Sequence, residues 1–225
     1  MISSETSIYN LALNAVGARN NVSSPTEESR EAEVCRLWFT VVRDQILAAA
    51  VWPEATDMKY LALLNEADDD GLWEVGEARP GYQFVYSLPT ECLRPQYLSN
   101  FDRFLVTYYA DNKRALNTNT ESAILAFTTR LETVSLWSAE LQMAIVYGLA
   151  SHICVPLSGK TSRARGLAEE ANRILLSARE SAANASSEQF ESVPEWISGR
   201  GYSGQISNTR FVYPLGSLLS VTTSV

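Results

Sequence analysis

Between residues 25 and 52 the polar and apolar positions follow a pattern that changes half-way. Glu33, Arg36, Thr40 and Arg43 recur at three- and four-residue steps, and Cys35, Trp38, Val42, Ile46 and Ala49 occupy another face. That spacing predicts an amphipathic helix. Beyond Asp44 the polar stripe stops, so the last two turns are expected to be covered on all sides. Ser24, Pro25 and Glu27 supply an N-cap, a first-turn proline and a capping-box carboxylate, which puts the start at Pro25; Pro53 stops the helix after Trp52.

Three more helices follow from the same reasoning. Ser4 caps a helix over 4–17 whose Ile8, Leu11, Ala12 and Ala15 share a face, with Gly17 as the stop. A stretch over 135–156 is apolar nearly all round and is expected at the centre of the fold. The last, over 161–184, carries the stripe Ala164, Leu167, Ala168, Ala171, Leu175, Ala178 and Ala182, with Glu169 placed to pair with Arg173. Pro156-Leu-Ser-Gly159 joins these two closely enough to make them antiparallel neighbours.

Over 56–130 the period shortens. Residues 59–63, 82–88, 104–109 and 123–128 are short β-branched or aromatic runs separated by the turns Asp68-Asp-Asp-Gly71, Pro80-Gly81 and Asp111-Asn-Lys113. The expected fold is therefore mainly α with a small β insertion (α+β): a four-helix bundle core, one small antiparallel sheet and an extended C-terminal arm. Residues 1–185 form the main domain and 186–225 the arm. The arm holds only five charges, yet it ends in the apolar residues Phe211, Val212, Tyr213, Leu215, Leu218 and Leu219. A purely solvated tail would lack such an end; ordering on a partner, by strand addition or by filling a groove, suits it better than folding back.

Composition narrows the function. A net charge of −8 over 225 residues argues against a protein that grips nucleic acid through its phosphates. The most apolar run, Leu136 to Leu157, has the length of a membrane span but contains Glu140, Gln142 and His152, which favours a buried core helix. The N-terminus lacks the blocks of a signal peptide. Cys35, Cys92 and Cys154 lie too far apart for metal-ligand spacing and are expected as buried thiols.

Most candidate chemistry is weak. Gly159-Lys160-Thr161 resembles the end of a phosphate-binding loop, but position 154 is Cys where that motif needs Gly, and a helix precedes it in place of a strand. His152 is the sole histidine and no nucleophile motif accompanies it. Asp68-Asp69-Asp70 lacks the alternating ligands and closing glutamate of a calcium loop. No cofactor and no metal are called for. Lys160, Arg163 and Arg165 crowd a first helical turn, where the dipole disfavours cations, as an exposed basic turn or as the site of an acidic partner or phosphates. Arg36, Arg43 and Asp44 are read as a subunit edge or as an ion pair, with the Arg43–Asp44 pair favoured inside the chain.

The chain resembles the tail tubular protein A family of short-tailed bacteriophages, the head-to-tail adaptors or connectors. The resemblance rests on Ile8-Tyr-Asn-Leu-Ala-Leu-Asn-Ala-Val-Gly17, Ser29-Arg-Glu-Ala-Glu-Val-Cys-Arg-Leu-Trp38 and Val42-Arg-Asp44 before an Ala-rich stretch ending in Trp52. It continues through Tyr86-Ser-Leu-Pro-Thr-Glu-Cys-Leu-Arg94 and the helix pair about Pro156-Leu-Ser-Gly159, in order over residues 5–183. It implies a structural virion protein of the tail neck, made in the host cytoplasm and without catalytic residues. Such proteins form a homo-oligomeric ring of twelve copies, joining the portal protein to the tail nozzle or tube and, in some cases, the tail fibres. Double-stranded DNA passes through the lumen during ejection without specific binding, and no membrane is involved. The resemblance further implies that the C-terminal arm binds the portal. The competing enzyme class is a tail-associated peptidoglycan hydrolase, a glycosidase using an Asp/Glu pair; a third class is a cytoplasmic binding protein unrelated to virions.

Overall fold

The computed structural model describes residues 4–67, 81–109 and 113–185, with side chains described through Ser181. Its helices are α1 (Glu5–Val16), α2 (Arg30–Ala49), α3 (Ala139–Ser158) and α4 (Thr161–Ala185). Between α2 and α3 lie β1 (Thr56–Tyr60), β2 (Ala62–Glu66), β3 (Phe84–Ser87), β4 (Cys92–Leu98), β5 (Phe104–Tyr109), β6 (Lys113–Thr118) and β7 (Ile124–Thr129). Short 3-10 turns at Pro53–Ala55 and Val134–Leu136 lead into β1 and toward α3.

Local chemistry fixes the helix ends. Ser4 accepts a hydrogen bond from the Ser7 amide, and Gly17 closes α1 at φ 79, a left-handed conformation that suits glycine. The amides of Gly17 and Ala18 then bond to the carbonyls of Asn14 and Leu13, satisfying two acceptors at the helix end. α2 starts at Arg30, not at Pro25. Ser29 is its cap, and Glu27 instead accepts from the amide and hydroxyl of Ser23, so the expected capping box becomes a separate turn. α3 begins after Ser138 and runs through Pro156 to Ser158, leaving Gly159 at φ 67 and Lys160 as the joint to α4. The proline is tolerated because it sits in the last turn.

The expected four-helix bundle core with one small sheet is not the architecture. Among the described residues seven strands form two antiparallel sheets, ordered β1-β7-β4 and β2-β3-β6-β5, so the fold is α+β with a substantial β part. Two features of the sequence concealed this. β4 contains Pro95, which normally argues against a strand, but β4 is an edge strand with register breaks on either side of that residue. β6 opens with Lys113, which reads as the end of the turn Asp111-Asn-Lys113, while its last four residues are buried. The helical side differs as well: α1 and α2 each pack along α3 and touch each other only briefly. α4 lies outside that trio, with Ala171 and Ala178 its only buried side chains among those described.

Two cores result. One gathers Ile8, Leu13, Phe39, Leu47, Ile145 and Leu149 from α1, α2 and α3, with Trp137 from the turn that precedes α3. The other lies between the sheets and holds Tyr86, Cys92, Leu98, Leu116, Leu125 and Phe127. The three-stranded sheet, whose β4 and β7 also contact α2, sits between the helices and the four-stranded sheet. By length and composition α3 could cross a bilayer, but here it is the middle of the helical layer, with Leu141, Ala144, Ile145, Leu149 and Ile153 fully buried.

α2 and α3 approach closely at Gly148, where a Cβ would lie 2.8 Å from Ile46 Cδ1 and 3.0 Å from Val42 Cγ1. Gly148→Val should therefore overpack the α2–α3 seam and cost about 2 kcal/mol or more. Urea unfolding followed by far-UV circular dichroism measures this, and an unchanged midpoint would contradict the packing described.

Candidate interaction surfaces

The second half of α2 is tied to its surroundings at several points. Arg43, 5% exposed, was expected on the polar stripe but is buried, and its guanidinium meets Asp44 Oδ1 at 2.9 Å. Asp44 Oδ2 in turn accepts from Arg130 Nε at 2.9 Å, just beyond β7, while Glu132 stands 3.8 Å from Arg43. One carboxylate thus holds two arginines, one on its own helix and one at the exit of the inner sheet. The Arg43–Asp44 pair is within the chain. The covering of the last turns is incomplete, since Gln45 is exposed and Val51 is 41% exposed.

Arginines also finish the helix C-termini, whose last carbonyls lack intrahelical donors. Arg163 donates twice to the Ala15 carbonyl, at 3.1 and 2.8 Å, and lies against Gly17. Arg179 donates twice to Ala49 O and Arg94 once to Ala48 O. Arg30 reaches Pro156 O at 2.8 Å. Each brings positive charge to the negative end of a helix dipole, a favourable placement. The N-terminus of α3 gains the converse, Glu54 Oε1 accepting from the Ser138 amide at 3.0 Å.

These contacts place the residues singled out in the sequence. Of Lys160, Arg163 and Arg165, Arg163 is spent on α1, while Lys160 and Arg165 are exposed. Arg36 is exposed and donates to Pro25 O at 3.0 Å. Arg173 pairs with Glu170, three residues away, in place of Glu169. His152 is exposed and stacks on Trp38, ring centres 4.7 Å apart. Gly159-Lys160-Thr161 joins two helices, so no strand-to-helix phosphate loop is built there. Asp68, Asp69 and Asp70 lie outside the described residues, as do Phe211, Val212, Tyr213, Leu215, Leu218 and Leu219.

All three cysteines are buried and free, and burial raises the Cys35 thiol to about 12 and the Cys92 thiol to about 11. Neither is a nucleophile at neutral pH.

Grooves and apolar patches mark the surface of the described residues. A groove between α3 and α4 is lined by Glu140, Met143, Tyr147, Glu170, Arg173 and Ile174. Its Glu170 carboxylate is held below the usual range by hydrogen bonds from Arg173, whereas a glycosidase general acid needs its pKa raised. A second groove gathers Tyr82, Gln96, Phe104 and the stacked rings of Tyr97 and Phe101, 5.1 Å apart. Exposed apolar side chains line α2 (Leu37, Val41), β2 (Leu63, Leu64) and β5 (Leu105, Val106).

Compared with known proteins, the chain matches no protein-family model and no curated protein.

Sequence reading missed Arg130, Arg94, Arg179 and Glu54. Their only signal was charge beside an element end; the partners are remote in sequence.

Asp44→Ala should lower the unfolding free energy by about 2–3 kcal/mol, because it strands the buried Arg43 guanidinium. Arg130→Ala should cost about 1 kcal/mol or less, since the exposed half of the pair is solvated. Chemical unfolding of both variants decides it; equal small effects would contradict the described geometry.

Proposed function

We propose that this chain is a structural virion protein, a head-to-tail adaptor that assembles as a homo-oligomeric ring between a portal and a tail tube. The observation that carries the reading is the ordered set of segments resembling tail tubular protein A over residues 5–183. Those segments include parts on which the fold turns. Val42-Arg-Asp44 supplies the carboxylate hub, Tyr86 to Arg94 runs from the outer sheet to the arginine that meets Ala48 O, and Ser29 starts α2.

Physical features support an assembling role. Monomeric proteins seldom keep adjacent large apolar side chains on open sheet edges, and such surfaces mark association. The net charge of −8 suits a passage that repels phosphate and lets DNA move through. Twelve copies acting together would allow each C-terminal arm to bind weakly while the assembly holds.

Purified full-length chain mixed with portal rings should give a complex of increased mass in mass photometry. Removal of residues 205–225 should leave the chain folded and abolish that complex. A truncated chain that still joins portal would remove the arm from the account, and a full chain indifferent to portal would contradict the adaptor reading.

A further inference from the structure

Among the described residues the four-stranded sheet has two open edges, β2 and β5, and they differ from those of the three-stranded sheet. There β1 carries Asp57 and Lys59, and β4 carries Pro95 with two register breaks. Charges, prolines and irregularities are the means by which sheets discourage edge-to-edge pairing. β5 has none of them. It reads Phe-Leu-Val-Thr-Tyr-Tyr, keeps unbroken register with β6, and leaves Leu105 49% and Val106 37% exposed. β2, at the opposite end of the same sheet, leaves Leu63 49% and Leu64 39% exposed. Its one irregularity against β3 falls at Leu64.

Both outer strands of this sheet expose apolar side chains, β5 with no protecting feature and β2 with only its bulge and a terminal charge, and one kind of partner, a second copy of this chain, satisfies the two together. Strand direction permits it. β2, β3, β6 and β5 alternate in direction, so β5 runs opposite to β2. A neighbour related by a small rotation keeps its strand directions nearly unchanged and therefore offers its β2 antiparallel to β5. That pairing brings Glu66, at the C-terminal end of β2, to Arg103, just before β5. Both are exposed, and neither has an ion-pair partner among the described residues.

We propose that β5 of each copy pairs with β2 of the next, continuing the sheet from subunit to subunit with Arg103 and Glu66 joined across the seam. The contact is heterologous, so it closes into a ring when the rotation is right. The proposal deepens the adaptor reading and rests on it for that closure.

Sedimentation velocity of the full chain without portal tests the seam. The unaltered chain should sediment as a closed ring. Arg103→Glu and Glu66→Arg should each raise the concentration needed for assembly at least tenfold, with unchanged circular dichroism. The double variant should restore assembly, and Leu105→Lys should block it. A chain that stays monomeric, single variants that assemble as before, or a double variant that fails to recover would overturn the seam. So would a dimer insensitive to Glu66→Arg, which would mean twofold pairing of β5 with itself. Portal binding measured on the same variants keeps the two ideas apart. A chain that binds portal but ignores these substitutions loses the seam alone, and one that assembles through the seam but ignores portal loses the adaptor reading.

Discussion

A single half-buried carboxylate, Asp44, couples the helical layer to the sheets. It pairs with Arg43, whose buried guanidinium would be costly without a partner, and it takes a second hydrogen bond from Arg130 where β7 leaves the inner sheet. Removing one member of such a pair costs more than the pair contributes, because the remaining charge is desolvated. Around this point the neighbouring contacts act in the same sense. Trp52 folds back to donate to Ile46 O at 3.1 Å, Arg94 and Arg179 take the last carbonyls of α2, and Glu54 meets the start of α3. The end of α2 is thereby tied to β4, to α4 and, through the following turn, to α3.

Helix identities were legible because their signals are local. Ser4 and Gly17 bracket α1, and the apolar run of α3 announced a central helix. Where a local signal competed with an equivalent one nearby, the reading slipped: Ser24 and Ser29 both suit an N-cap, and tertiary packing chose Ser29. The sheets were legible only in part. Phe104 to Tyr109 declares a strand by composition, whereas Pro95 and Lys113, the latter read as the end of a turn, disguise two others whose existence depends on neighbours remote in sequence. Missing β4 and β6, and reading 59–63 as one run where β1 and β2 belong to different sheets, is what turned two sheets into one small insertion and made the helices look like a bundle core. The Arg43–Asp44 pair was visible as a sequence junction, but Arg130, 86 residues from Asp44, could be found only from the fold.

Helix pairs and a sheet pair locked at one hub suit a part that must carry load as one body. The same molecule leaves Leu63, Leu64, Leu105 and Val106 partly exposed on the outer strands of its sheet, surface that association would cover. A tied centre and apolar edges at the periphery would suit the ring subunit we propose, since ring closure needs the angle between copies to be held by the subunit itself. In the adaptor we propose, the net charge of −8 would complement this, because a conduit for DNA works best without phosphate grips.

Electron microscopy of particles assembled from portal rings and the full-length chain tests that account most directly. It predicts a closed ring of this chain beneath the portal, around an open channel, with neighbouring subunits joined through their four-stranded sheets. Portal rings without added density, or the chain bound as isolated subunits with no lateral contact, would contradict it.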